Sequence, residues 1–230
     1  MPAPPDPAAE PRQRWRLIVA RESGLAATQR EVAAEWTAAI EAAGLPLVGR
    51  DAGRGRARIA FGAPLPVGMA AERELIDIVI TDSWPVWRVR EGLAASVPPG
   101  WTLIDVHDVW LGGPPLAGRV VAADYRIELE DAVDTAAVRN ASAELEAAVG
   151  IRRQRLKGGT PVDYDLRPLL ISVGVEPGPP VTVRTRTRFD PELGTGRPEE
   201  VIGALGDLVG STLEIRSIVR ERLLLDEDVR

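Results

Sequence analysis

The 230-residue sequence contains no cysteine. Disulfides, thiolate nucleophiles, Cys-ligated zinc and Cys-held iron–sulfur clusters are therefore excluded within this chain. Histidine occurs once, at His107, so no second imidazole is present to share a metal or a proton. Lysine also occurs once, at Lys157, although Lys and Arg together number 28. Because Ala, Gly and Pro are abundant too, this bias reads as a GC-rich coding composition and not as a choice of guanidinium chemistry. No stretch approaches the roughly 18 consecutive apolar residues of a membrane span. The opening MPAPPDPAAEPRQR lacks the apolar segment of a signal peptide. A cytoplasmic protein with a loose tail over residues 1–13 is expected, with no membrane association.

What is present suits a globular chain with a sizeable core. Hydrophobic residues make up 45% and charged residues 27%, which is ordinary for such proteins. The net charge of −6 argues against a whole-molecule polyanion binder and leaves room only for a local basic patch.

Hydrophobic periodicity divides the chain into two halves of the same rhythm. RWRLIVA (14–20), ARIAF (57–61), ELIDIVI (74–80) and WTLIDVHDVW (101–110) have strand character. Residues 26–43 place Val32, Trp36, Ala39, Ile40 and Ala43 at helical spacing, and Gly44 then Pro46 end that helix. WPVWRVREGLAASV predicts a second helix, capped by Asp82 or Ser83 and stopped before Pro98. LGGPPLAG (111–118) is the clearest linker. After it come a strand over 119–130, a helix over 134–149 with Asp134 as N-cap, and the strand-like pieces IRRQRLK and DLRPLLISVGV around a turn GGTPVDY. VTVRTRTRF (181–189), a helix over 197–209 and a strand over 213–225 complete the pattern. The expected fold is α+β: two tandem ferredoxin-like βαββαβ halves with antiparallel sheets, over residues 14–110 and 119–230.

Several residues draw attention as sites. In VTVRTRTRF the side chains of Arg184, Arg186 and Arg188 share one face of a strand. Arg153, Arg155 and Lys157 alternate similarly and are candidates to join them, as are Arg216, Arg220 and Arg222. Such a surface suits a phosphate backbone. In the usual ferredoxin-like strand order, however, the neighbouring strand presents Asp124, Arg126, Glu128 and Glu130, and cross-strand ion pairing is the simpler expectation. Aromatic platforms of the kind sheet-type RNA binders use are missing from this face, because Tyr125 and Phe189 fall on the inward side.

GRDAGRGRAR (49–58), with Arg54, Arg56 and Arg58, is the best anion-binding loop of the first half, although it matches neither GxxxxGK[ST] nor GxGxxG. DYDLRP (163–168) brings two carboxylates close to Arg167; Asp–Arg pairing ahead of a buried strand explains it equally well. His107 shares strand parity with Asp105, Leu103 and Trp101, and a general base there has no visible nucleophile to serve. Trp84 and Trp87 mark either a partner surface or a hydrophobic staple.

Taken in order, several segments resemble the radical-SAM-linked proteins, a bacterial family found beside, or fused to the end of, a radical-SAM protein with a cobalamin-binding-type domain. They are Arg30 through Leu45 with Pro46, RARIAFGAPLPVGMAAERELIDIVI (56–80), the VHDVW-to-linker segment, ADYRIEL (123–129), VDYDLRPLL (162–170), GRPEEVIGAL (196–205) and IRSIVRERL. The chain departs from that pattern twice. LAATQRE (25–31) stands where a Ser-His-Leu-Asp type motif is usual, and DAGRGRAR replaces an Asn-Pro-Arg-Pro-Lys type loop. The resemblance implies binding and not catalytic roles for Arg56, Arg58, Asp165, Arg167 and Arg197, and a radical-SAM protein as partner; the residues themselves lead to the expectation of no catalytic or metal-ligating residue and no cofactor. The function it implies is a non-catalytic accessory protein that partners that enzyme or presents its substrate. The alternative is an RNA-binding module in tRNA or rRNA modification. Tandem ferredoxin-like halves resemble the scaffold of some pseudouridine synthases, but the Gly-Arg-Thr-Asp setting of their catalytic Asp is missing here.

Overall fold

A computed structural model describes residues 12–50, 55–130 and 133–229. Arg54, and most of the expected tail, lie outside the described residues. The chain is α+β with mostly antiparallel sheet and divides into two compact units. Met1–Gly68 and Arg73–Arg119 form the first; Met69–Glu72 and Val120–Arg230 form the second. No helix among the described residues is long and apolar enough to cross a membrane.

The first unit contains β1 (Gln13–Arg21), α1 (Gln29–Ala42), β2 (Ile59–Phe61), β3 (Ala70–Ile80, of which Ala70–Glu72 belong to the second unit), α2 (Val86–Ala94) and β4 (Trp101–Val109). The strands lie in the order β2-β3-β1-β4, and β1/β4 and β2/β3 pair antiparallel. Helix α1 begins three residues later than its apolar stripe suggests. Thr28 and Glu31 form a capping box there, with the Glu31 N–H donating to Thr28 Oγ1 at 3.3 Å and the Thr28 N–H to Glu31 Oε2 at 2.7 Å. Neither Asp82 nor Ser83 caps α2. Pro85 is its N-cap, with no side-chain bond, and the Trp84 N–H before it donates to Gln13 Oε1 at 2.7 Å.

The core of this unit joins Trp15, Leu17 and Val19 of β1 to Val32, Trp36 and Ile40 of α1, Ile76, Ile78 and Ile80 of β3, and Val89 and Leu93 of α2. Period-two strand residues meet period-3.6 helix residues, so each element buries the stripe its sequence marks. Trp36 is fully buried and stands edge-on to Trp101, ring centroids 5.6 Å apart. The segment 111–118, expected as a linker, belongs to the first unit; Leu116 opens a short 3-10 helix, Leu116–Gly118, and is fully buried.

The second unit contains β5 (Val120–Leu129), α3 (Thr135–Ala147), β6 (Arg152–Lys157), β7 (Thr160–Asp165), β8 (Leu170–Glu176), β9 (Thr182–Asp190), β10 (Gly194–Thr195), α4 (Pro198–Val209) and β11 (Ile215–Leu225). The main strands run β8-β9-β5-β11, all antiparallel, and Ala70 and Ala71 run parallel to Val219 and Arg220 at the far side of β11. Ile127, Val138, Leu145, Val183, Val201 and Leu205 centre the core between sheet and helices. Asp134 caps α3 as expected, accepting from the Ala136 N–H at 2.9 Å.

TPVDYD, expected as part of a turn, is a strand. It pairs with β6 in a separate two-stranded sheet whose connection is Gly158-Gly159, both at positive φ (59° and 84°). A two-residue loop with both residues left-handed matches the twist of a hairpin, and only glycine takes it without strain.

Replacing Trp36 with Ala removes the largest side chain at the α1–sheet contact. The expected cost is about 3–5 kcal/mol, read as a lowered urea midpoint with an unchanged slope.

Candidate binding surfaces

The strand alternation of the second unit separates its two faces cleanly. Val181, Val183, Thr185 and Thr187 are buried, and the two threonine hydroxyls donate to the carbonyls of Ser172 (2.9 Å) and Gly196 (2.8 Å). Arg184 and Arg186 point to the other face, where β5 lies between β9 and β11. Asp124 of β5 accepts from Arg186 Nε at 2.6 Å and Nη2 at 3.0 Å, and from Arg222 Nε at 2.8 Å. Glu221 takes Arg184 and, at 3.3 Å, Arg126; Glu176 takes Arg184 at 2.6 Å, and Glu72 takes Arg126 at 2.8 Å. Four guanidiniums thus meet four carboxylates. Arg188, at the exposed end, makes no ion pair among the described residues.

Protonation follows this geometry. Burial pushes the Asp124 carboxyl up, but hydrogen bonds and charge from Arg186 and Arg222 outweigh it and hold the group below the usual carboxylate range. Arg184 is shifted upward by its bonds to Glu221 and Glu176.

Three arginines expected to join the ladder, Arg153, Arg155 and Arg220, are elsewhere. Register shifts between Ile215 and Ser217 and between Arg220 and Arg222 interrupt the alternation of β11. Arg222 lies opposite Asp124, on the ion-paired face, whereas Arg220 lies opposite the inward Tyr125 and is 1% exposed. Arg153 and Arg155 belong to the separate β6–β7 sheet. Arg153 pairs with Glu200 (3.2 Å) and Asp207, and Arg155 lies over the Tyr164 ring, 4.8 Å from its centroid.

DYDLRP is a structural staple. Asp165 Oδ1 accepts the N–H groups of Ile151 (2.7 Å) and Arg167 (2.9 Å). The Arg167 guanidinium donates to the carbonyls of Ala148 (2.9 Å), Leu170 (2.9 Å) and Glu146 (3.2 Å). It therefore satisfies carbonyls at the C-terminal end of α3, where the helix dipole favours a cation. Arg56 and Arg197 are exposed, and Arg197 serves as the N-cap position of α4 without a side-chain bond.

The parity expected for His107 is broken as well. A register shift between Ile18 and Val19 leaves Ile104 unmatched; Val106 then lies in the core opposite Leu17, and His107 lies opposite Arg16. His107 Nε2 sits 3.1 Å from Asp105 Oδ2, and Arg90 pairs with the same carboxylate. The Val106 N–H leads the groups that lower the Asp105 pKa. Trp84 is half-buried beneath the Arg88 guanidinium, 3.8 Å from its centroid, while Trp87 is 59% exposed.

A buried charge cluster of the first unit lies in strands that sequence reading treats as plain core. Arg14 and Arg16 of β1 both hold Asp77 of β3: Arg14 Nε donates to Oδ2 at 2.8 Å, and Arg16 Nε to Oδ1 at 2.8 Å. Arg14 also donates to the carbonyls of Gly113 (3.1 Å) and Pro114 (3.0 Å), tying down the 111–118 segment. All three side chains are buried, Asp77 at 2% exposure. Their signal in the sequence is a charged residue on the non-core parity of two facing strands, RWRLIVA and ELIDIVI. Among the described residues no group of three or more His, Cys, Asp or Glu is placed to hold a metal.

These features define an α+β protein of mostly antiparallel sheet whose polar clusters are bonded internally. Residues 54–198 match a family described as an uncharacterized protein conserved in bacteria (DUF2344), and the chain belongs to that family. No curated protein matches it. Among solved structures, a chain in the crystal structure of a Cbf5-Nop10-Gar1 complex is similar at 12% identity and a TM-score of 0.46, over 90% of this chain and 48% of that one. The chain thus spans about half the length of the chain it matches.

Asp124→Asn is expected to lower stability at neutral pH by about 1.5–3 kcal/mol, the range for hydrogen bonds to a charged group. The sign with pH follows from its depressed pKa. The ion-pair contribution is complete above the unfolded value, about 3.9, and is lost as pH falls through the folded one. Denaturant melts from pH 6 downward, on the order of one unit apart, should show wild type and variant converging in acid; a constant gap overturns the assignment.

Proposed function

We propose that this protein is a non-catalytic accessory protein of the cytoplasm that partners a radical-SAM enzyme or presents that enzyme's substrate, using surfaces instead of reactive groups. The observation that carries this reading is the commitment of the candidate polar residues to structural bonds: Arg184 and Arg186 in a charge-balanced network, Asp165 and Arg167 in the α3–β8 staple. A reacting centre needs groups left available to substrate. Here those positions are occupied by carbonyls, backbone N–H groups and opposite charges. The partner class comes from the sequence resemblance to radical-SAM-linked proteins.

The architecture behind it is read as two ferredoxin-like halves. With the strands of each unit numbered one to four along the main βαββαβ path, β2-β3-β1-β4 and β8-β9-β5-β11 both give the order 2-3-1-4. The β6–β7 hairpin is then an insertion between α3 and β8.

Affinity purification of tagged protein from its native host, under anaerobic conditions, should recover a stoichiometric iron–sulfur partner that binds S-adenosylmethionine. Its absence from cross-linked preparations overturns the partner. The RNA-binding alternative predicts affinity that falls with salt at a log–log slope of about −0.7 per phosphate contacted on a single strand. With Arg184 and Arg186 neutralised by carboxylates, tRNA is expected to show no saturable binding near physiological salt; a steep, saturable isotherm selects the alternative instead.

A further inference from the structure

The first unit carries a cavity of about 340 Å³ whose wall includes Arg12, Arg14, Arg58 and Asp77. We propose that it binds a small organic anion, an apolar body bearing a phosphate or carboxylate head. This inference is independent of the proposed partner.

The charge balance makes the first part of the case. Two guanidiniums, Arg14 and Arg16, share the single carboxylate of Asp77, and all three are more than nine-tenths buried. One positive charge is therefore in excess where solvent screens it poorly. A surplus buried charge is costly unless a counter-charge or hydrogen bonds offset it. The carbonyls of Gly113 and Pro114 supply part of that offset on the Arg14 side. Arg12 and Arg58, both exposed, add two more cations at the rim and make no ion pair among the described residues. Three guanidiniums, Arg12, Arg14 and Arg58, thus line the cavity with one carboxylate, which Arg16 also holds, unlike the balanced face of the second unit. Guanidinium forks match the paired oxygens of a phosphate or carboxylate.

The shape makes the second part. Ile59, Val79 and the buried Leu116 add apolar lining beside the charges. The volume lies in the range typical of small-ligand sites, about 300–1,000 Å³, which combine an apolar lining with a few convergent polar groups. Arg14 fixes the Gly113–Pro114 backbone that forms one side. The cation that would meet the head group is therefore also the one that holds the wall in place. Of the arginines in the 49–58 loop, the structure brings Arg58 here, because its backbone is bonded on both sides: Arg58 N–H to Val48 O at 2.9 Å and Val79 N–H to Arg58 O at 3.2 Å.

Phenyl phosphate, benzoate and the neutral benzyl alcohol are the probes, titrated into the full chain and followed by backbone amide NMR. Both anions should shift Gly113, Leu116 and Ala60 amides with saturation, and benzyl alcohol should not. The exposed double variant Arg12→Gln/Arg58→Gln preserves the buried triad, so it should keep the native spectrum while weakening both anions at least about tenfold, roughly 1.4 kcal/mol. Equal binding by the variant, equal binding of the alcohol, or shifts absent from these amides each overturn the proposal. Arg14→Gln serves as a second variant: if it folds, anion binding should be lost, and retained binding counts against the site.

Discussion

A carboxylate held by two guanidiniums across neighbouring strands is the constraint on which both units turn. Asp77 is gripped by Arg14 and Arg16 from one adjoining strand, and Asp124 by Arg186 and Arg222 from the strands on either side of it. In each unit the motif sits on the sheet face that does not carry the apolar core, where alternation would otherwise leave isolated charges. Its orientation sets register, since a slip of one residue would carry the carboxylate to the apolar side.

The two versions differ in charge balance, and that difference separates their roles. Around Asp124 further carboxylates, Glu221, Glu176 and Glu72, balance the remaining arginines. Around Asp77 the cations outnumber the anions and a cavity adjoins them. The conspicuous ladder of alternating Arg is therefore the electrostatically settled surface. The inconspicuous pair in β1 shares a single carboxylate. Conspicuous patterning in a sequence reports periodicity, whereas availability depends on what the neighbouring strands bring.

Much of this was legible before any coordinates. Apolar periodicity located the four helices and the main strands, and with them the α+β class. Strand parity placed Asp124 beside the ladder; Glu128, expected there too, accepts instead from the Ser217 hydroxyl, and Glu221, Glu176 and Glu72 meet the other arginines. Parity failed where one extra residue enters a strand: at Glu221, which sends Arg220 inward and Arg222 outward, and at Ile104, which moves Val106 into the core and takes Asp105 and His107 out of register with Leu103. No local residue type announces these bulges, since they relieve mismatch between strands distant in sequence. The β7 strand was hidden by its proline and acidic residues, which turn rules assign to loops. The Arg14–Asp77–Arg16 triad was hidden for the opposite reason: its strands look so apolar that their charged positions invite no attention.

The arginine face of the second unit has one more property. Guanidiniums keep their protons at any pH a protein meets, whereas carboxylates do not. Its electrical character can therefore change in one direction only. Alkali leaves the mosaic of Arg126, Arg184, Arg186 and Arg222 with its four acidic counterparts untouched. Strong acid strips the negative half away and leaves a concentrated cationic plate, adhesive toward any polyanion or cation-exchange matrix in the vessel.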